Sequence, residues 1–282
     1  FSVVFLVASI TKTNSLEKLR RVPLYKVLKS WKTVVVMLIV IIIGLLHTFD
    51  AIFYTGTSDI KKNLFHPAYA GFLNGISAKG PYRTYFLWIM PVFFIVLYCG
   101  RYALEKKKNM DIIYCIKVSR KKYFWAKMKT AAITAAIVNL IPDILSIIIT
   151  VIFLHGNTGF EDIEMWSVKE AGKFVYWCVH NPYRAYMLFL ISNLVVTALL
   201  GMMCQAIVFL VEDSRLAMII AVAIWMGIYF GNSYFFIGHI LQPFVAENTL
   251  NNFILKYIRY IPMVVLWIAA GYYKVVKKGD RI

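Results

Sequence analysis

Acidic residues are scarce in this sequence, and so is charge in general. Asp and Glu number 14 against 31 Lys and Arg, and all charged residues together make up 16% of the 282 residues. Apolar residues make up 60%, and the mean hydropathy is +0.68, well above an ordinary soluble domain. This balance excludes a water-soluble globular class. It predicts an all-α polytopic membrane protein, because long apolar runs in lipid must satisfy their peptide groups as helices.

Several functional signatures are also missing. The four cysteines, at positions 99, 115, 178 and 204, have no zinc-ligand spacing and no pairing that argues for a disulfide. The sequence lacks the GxxxxGK[ST] phosphate loop, so we expect no nucleotide cofactor in this chain. The net charge of +17 sits beside apolar segments without a groove-reading motif, which favours anionic membrane lipid over nucleic acid as its partner.

Long apolar runs, in contrast, are plentiful. Six approach the ~20 residues that a bilayer core requires, and they cover 33–54, 85–104, 130–154, 186–211, 216–240 and 257–276. They define a six-helix transmembrane domain, 33–276, with an inner loop at 105–129 and a tail at 277–282. Segment 1–32 is predicted to lie at the interface, since cations alternate there with Leu, Val and Trp. The alternative is a basic flank of the first span.

The first ten residues, FSVVFLVASI, are apolar but too short to cross a bilayer. They fit an incomplete start of the chain or an interfacial segment, and the sequence leaves this open. The cations set the orientation, because short cytoplasmic loops carry an excess of Lys and Arg. With the N-terminus inside, one side holds 22 of the 31 cations, so both termini are predicted to be cytoplasmic.

The inner loop between the second and third spans carries a distinctive motif. It runs EKKKNMDIIYCIKVSRKKYFWAK and predicts a short helix, a break at Ser119, and then the third span. It resembles the membrane subunits of type-2 ATP-binding-cassette (ABC) exporters at Glu105, Val118, Ser119, Arg120, Lys121, Lys122, Tyr123 and Lys127. Lys117 departs from the proline that is frequent in that family. The number of spans and the inner termini match the same family.

This resemblance implies a permease that contains no ATPase of its own and is not itself an enzyme. ATP and Mg would be bound by a separate ATPase subunit, and a second permease copy or close relative would complete the transporter. The resemblance further implies that the inner loop contacts the ATPase through Glu105, Ile112, Ile113, Ile116, Val118, Ser119 and Arg120. The alternative is that the loop only anchors the third span to lipid phosphates.

Polar residues recur inside the third and fourth spans. Asn139, Asp143, Ser146 and Thr150 share one helical face, and Asn193 and Thr197 begin a second polar stripe. Asp at a helix centre costs about 3 kcal/mol on the insertion scale, so Asp143 should face protein or water. These six residues are candidates for a translocation path. The alternative is a set of ordinary interhelical hydrogen bonds.

Small residues repeat along the fifth span. Ala223, Gly227 and Gly231 have the small-xxx-small spacing that lets helix backbones approach closely. We expect this stripe to pack against another helix, either within the chain or in a second permease copy.

Three function classes follow from these observations. The first is an exporter of an amphipathic or hydrophobic solute from a bacterial plasma membrane, by family analogy a peptide toxin of the phenol-soluble modulin kind or another antimicrobial peptide. Drug or lantibiotic efflux, or immunity, is the alternative within that class. The second is a membrane enzyme, for which catalytic pairs are lacking. The third is an ion-driven transporter, for which inverted repeats are lacking.

Overall fold

The structure is a computed structural model that describes residues 30–57, 65–72, 82–117, 119–160, 173–230, 237–241 and 249–278. Within these residues it is all-helical, and its one extended feature is an isolated bridge between Phe65 and Gly159. Most of segment 1–32, the last four residues of the tail, Val118 and Gly231 lie outside the described residues.

Eleven α-helices and two π-helical stretches make up the described chain. The helices are α1 (Trp31–Thr57), α2 (Pro67–Ala70), α3 (Tyr82–Phe94), α4 (Arg101–Lys107), α5 (Met110–Lys117), α6 (Arg120–Phe153), α7 (Lys173–His180), α8 (Pro182–Val211), α9 (Ser214–Phe230), α10 (Gly238–Leu241) and α11 (Leu250–Tyr272). The π-helical stretches are Ile95–Cys99 and Tyr273–Lys278.

Four of these helical segments are long and apolar enough to cross a membrane: Trp31–Ile52, Arg120–Phe153, Pro182–Val211 and Leu250–Lys277. They match the predicted first, third, fourth and sixth spans, so the polytopic, helical class is confirmed. The second span corresponds to a bent pair, and the fifth to the 17-residue α9, after which the described residues are interrupted. The number six and the location of the termini stay predictions.

The predicted second span is not straight. A bend of 42° separates Tyr85–Cys99 from Arg101–Lys107 at Gly100. The N–H of Gly100 donates to the Ile95 carbonyl at 2.9 Å, which closes the wider π-helical turn, and a Cβ there would lie 2.9 Å from the same oxygen. Hydropathy alone misses this bend because every residue from Ile95 to Cys99 is apolar.

Proline also disturbs α3. Pro91 has no N–H, which frees the carbonyl of Leu87 four residues earlier. The indole of the fully buried Trp225 in α9 donates to that carbonyl at 2.7 Å. Helices α3 and α9, which are distant in sequence, are thereby joined by a hydrogen bond inside the apolar core.

Helix α8 forms the centre of the bundle. Its most apolar stretch is 61% buried, against 17% for Leu250–Lys277, and it packs against α6, α9 and α11. It approaches α6 closely at Gly201, where a Cβ would meet the Ala135 Cβ at 2.7 Å and the Ala131 carbonyl at 2.8 Å. At the other end of the same pair, the Tyr186 hydroxyl reaches the Asp143 carbonyl, so α6 and α8 are antiparallel.

Candidate functional site

A buried polar layer crosses the interior of the bundle. We use this name for Thr48 of α1, Asn139, Asp143 and Ser146 of α6, and Asn193 of α8, none of which is more than 2% exposed. The polar face of the third span is therefore buried within the bundle, and its role as a translocation path stays a prediction. A carboxyl group and two amides in this setting are costly unless they are paired or functional.

The layer is partly hydrogen-bonded within α6. The Asn139 amide donates to an Asp143 carboxylate oxygen at 3.1 Å, one helical turn away. The backbone carbonyl of Ser146 accepts from the Thr150 hydroxyl at 3.0 Å, so the predicted path residue Thr150 bonds back to its own helix. The regular helix continues through Pro142 despite the missing N–H.

Helix α1 supplies a side of the layer that the sequence analysis did not predict. The Thr48 hydroxyl lies 2.8 Å from the Ser146 hydroxyl and also donates to the Gly44 carbonyl. Its neighbour His47 is only 2% exposed. Adjacent polar residues within an otherwise apolar span were the available signal for both.

Helix α8 completes the layer. Because the two helices are antiparallel, with Tyr186 opposite Asp143 and Gly201 opposite Ala135, Asn193 lies at about the same depth as Asn139. Thr197, the other predicted path residue of this helix, is buried and donates to the Asn193 carbonyl at 2.7 Å. Its hydroxyl thus has the common back-bonded role of a helical threonine.

Some polar atoms of the layer have no hydrogen-bond partner among the described residues. They are both amide atoms of Asn193 and the carbonyl oxygen of the Asn139 side chain. The Thr134 hydroxyl, which lies one to two turns before Asn139 on α6, also has no hydrogen-bond partner among the described residues. Each unmade bond costs about 1–3 kcal/mol in a buried setting. The layer therefore keeps hydrogen-bonding capacity that the described residues do not use.

A second polar cluster lies at the cation-rich end of α6, and its charges are paired. The Lys127 ammonium contacts one Glu105 carboxylate oxygen at 2.7 Å, and the Tyr123 hydroxyl donates to the other at 2.9 Å. Lys127 also lies 5.3 Å from the centre of the Tyr98 ring. Both oxygens of Glu105 are therefore used inside the chain, which fixes α4 against α6.

Helix α5 is the predicted short helix of the inner loop. Lys106 and Asp111 join it to α4 by an ion pair of 3.0 Å. Ile112 is 54% exposed, as expected for a contact residue, while Arg120 is half-buried. Ser119 occupies the N-cap position of α6, but its side chain makes no capping hydrogen bond. The backbones of Ile113 and Ile116 are helical, and their side chains lie outside the described set.

The small-residue stripe of α9 faces away from the bundle. Ala223 and Gly227 are exposed, and a Cβ on Gly227 would meet nothing within 4 Å. The helix instead buries Ala217, Ala221 and Trp225. The described chain therefore leaves this part of the stripe available for packing against another subunit.

In the described ranges, no group of three His, Cys, Asp or Glu side chains could hold a metal ion. The cysteines in these ranges form no disulfide with one another, and three of them are buried.

The fold and the layer are those of an all-helical protein of the membrane-spanning class, with a polar layer buried in an apolar core. The chain is similar to the uncharacterized protein YybM of Bacillus subtilis (strain 168), with 25% identity over 221 residues, which cover 78% of this chain and 84% of YybM. No protein family and no solved structure matches the chain. Because this relative is uncharacterized, its likeness supplies no activity, and function has to be argued from the geometry.

Proposed function

We propose that the chain is the permease subunit of an ATP-driven ABC exporter in a bacterial plasma membrane. It would move an amphipathic or hydrophobic solute, a peptide by preference, out of the cell. The observation that carries this proposal is the arrangement of α5: a short helix with exposed apolar residues at the cation-rich end, tied by ion pairs to the helix that carries the polar layer. A permease driven by a separate ATPase needs such a connection between the ATPase contact and the transmembrane helices.

The exposed side of α5 suits a protein partner. Met110 is 39% exposed and Ile112 is 54% exposed, beside the exposed Lys107 and Lys108. Apolar side chains within a polar rim are typical of protein contact sites. In the predicted topology this surface faces the cytoplasm, where a nucleotide-binding subunit would be present.

Movement of α5 would be transmitted to α6 through short contacts. The Lys106–Asp111 pair links α5 to α4, and the contacts of Glu105 with Tyr123 and Lys127 link α4 to α6. Helix α6 is continuous from Arg120 to Phe153, so a push at its first turns reaches Asp143 through one rigid rod. Hydrolysis of ATP, which the partner binds together with Mg, would in this way alter the polar layer.

A second permease copy or a close relative fits the exposed stripe of α9. Ala223 and Gly227 leave room for a close helix approach, and the open space around the Gly227 Cβ position supports an intermolecular use. Homodimer and heterodimer are both compatible with this stripe.

The test is copurification of the chain with a candidate ABC nucleotide-binding subunit of the same organism, co-expressed with it. The double variant Arg120→Glu with Ile112→Asp should lower the recovered ATPase at least about tenfold, as expected when a central contact costs about 1.4 kcal/mol or more. The matched control is Arg215→Glu with Leu216→Asp, which alters an exposed Arg and an exposed Leu at the same end of the bundle. Equal ATPase recovery from both double variants, each correctly inserted, would refute the assignment of α5.

A further inference from the structure

A short segment closes one end of the polar layer. Residues 65–72, which include α2, pack against α1, α6 and α8 at the end opposite the lysines. At Gly71 the segment lies flush on α6, because a Cβ there would be 2.6 Å from the Thr150 hydroxyl oxygen and 3.2 Å from the Ile147 Cα. A Cβ would also lie 3.0 Å from the Pro67 carbonyl, so a larger residue could not be added without a shift at these contacts.

Tyr186 joins this segment to the layer. Its hydroxyl donates to the Asp143 carbonyl at 2.8 Å and lies 3.5 Å from the Gly71 carbonyl. The ring packs edge-on against Phe72, which is 2% exposed. One hydroxyl group therefore contacts the backbone of both the layer and the segment above it.

The other end of the segment rests on a backbone hydrogen bond and aromatic contacts. The His66 N–H donates to the Gly159 carbonyl at 2.7 Å, and the His66 ring stacks on Phe160 with its centre 5.2 Å away. Its Nδ1 accepts a hydrogen bond from the Ala68 N–H and so caps α2. The salt bridges in the described chain all lie elsewhere. Contacts of this kind separate and re-form reversibly.

We propose that residues 65–72 are the outer gate of the polar layer, and that the layer opens to the outer side when Gly71 moves away from Thr150. This inference rests on the proposed function, in which the layer lines the solute path. It accounts for two observations together. Polar atoms of the layer have no partner among the described residues, and the segment at the Asp143 end of the layer is held to α6 at Gly71 by close packing.

Two thiols can report the movement of the gate. Cys178 is fully buried in the same cluster as Ala68 and Phe72, and burial raises the pKa of its thiol to about 12, so it should react very slowly while the gate is closed. Ser146→Cys, in a Cys178→Ala background, reports access to the layer itself. The chain is reconstituted alone in vesicles, and a membrane-impermeant maleimide is added on the outer side.

Gly71→Ala should open the gate, because the added methyl group collides with Thr150 and Ile147. We expect labelling of both reporters to rise at least about tenfold, equivalent to about 1.4 kcal/mol in the closed-to-open equilibrium. Adding Thr150→Ala removes the nearest of these collisions and should reverse part of the rise. Tyr186→Phe, which removes one hydroxyl, should give a smaller increase. Tyr183→Phe is its matched control on the same helix. It keeps the ring that contacts His66 edge-on at 5.0 Å and removes only the hydroxyl, so it should label like the unmodified chain.

Labelling of the Ser146→Cys reporter decides the proposal. Slow labelling with the unmodified gate and faster labelling in Gly71→Ala and Tyr186→Phe, with unchanged unfolding temperatures, would support it. Equal labelling in all variants would overturn it, as would an increase confined to unfolded protein. No ATPase takes part in this experiment, so its result does not depend on the result of the copurification test. If the gate opens here while copurification fails, only the exporter assignment is refuted.

Discussion

The two polar clusters on α6 differ in how completely they are satisfied. At the cation-rich end, Glu105 has both oxygens bonded, to Lys127 and to Tyr123. Further along the same helix, Asn139 keeps an unbonded carbonyl oxygen, and both amide atoms of the facing Asn193 are unbonded within the described chain. A complete network rigidifies its surroundings, whereas an incomplete one lowers stability and leaves bonding capacity for a ligand. Two buried polar clusters that share α6 therefore differ in how far their hydrogen bonds are satisfied within the described chain.

The largest effect is expected from breaking the complete cluster. Glu105→Ala leaves the Lys127 ammonium, whose side chain is only 9% exposed, without its carboxylate. Removing one partner of a buried pair costs about 3–5 kcal/mol. Because Glu105 is 20% exposed, we expect a loss of stability near the lower bound of this range. The loss is measured by denaturant-induced unfolding of the purified chain in detergent micelles.

The double variant Glu105→Leu with Lys127→Met is the control for this loss. Apolar replacement of both partners is often neutral, so it should recover most of the stability. If the double variant unfolded as readily as Glu105→Ala, the unpaired charge could not be the cause of the instability.

A smaller effect, of opposite sign, is expected in the incomplete cluster. Asn193→Leu removes an amide that forms no hydrogen bond in the described chain, and it should stabilise the protein by about 1 kcal/mol while reducing solute export. Its neighbour Ser192 provides the contrast, because its hydroxyl donates to the Ile240 carbonyl at 2.6 Å and contacts the Tyr257 hydroxyl. Ser192→Ala should therefore destabilise by about 1–2 kcal/mol. Destabilisation by both substitutions would show that Asn193 has a structural partner.

The smallest effect should come from Asp213, in the turn between α8 and α9. The backbone N–H groups of Leu216 and Arg215 donate to its carboxylate and lower its pKa from the ordinary 3.8. A lowered folded pKa means that the unfolded chain binds the proton more tightly. This contribution is therefore complete above the unfolded pKa and is lost as the pH falls through the lowered folded value.

Asp213→Asn cannot titrate at this position. We expect the difference in unfolding midpoint between about pH 5 and about pH 3 to shrink slightly in the variant. An unchanged difference would assign no stabilising role to the ionised carboxylate.

The sequence predicted the helical membrane class and the buried face of α6 because both depend on local periodicity. Asp143 and Thr150 share a face by spacing alone, and their burial follows from the cost of exposing polar groups to lipid. The polar pair His47 and Thr48 stands out in an apolar span, but the contact of Thr48 with Ser146 could not be predicted, because it joins residues 98 positions apart. The internal role of Glu105 was missed for the same reason, since its partners belong to another helix. The contact of the inner loop with an ATPase stays a prediction.

The hydrogen bond between Trp225 and Leu87 bears on the order of biosynthesis. The two residues are 138 positions apart, and the Leu87 carbonyl cannot be bonded within α3 because Pro91 lacks an N–H. During synthesis this carbonyl can accept the Trp225 hydrogen bond only after α9 has been made, and until then water or the insertion machinery would have to donate to it. The packing of the early helix α3 is thus completed only when the late helix α9 has been synthesised.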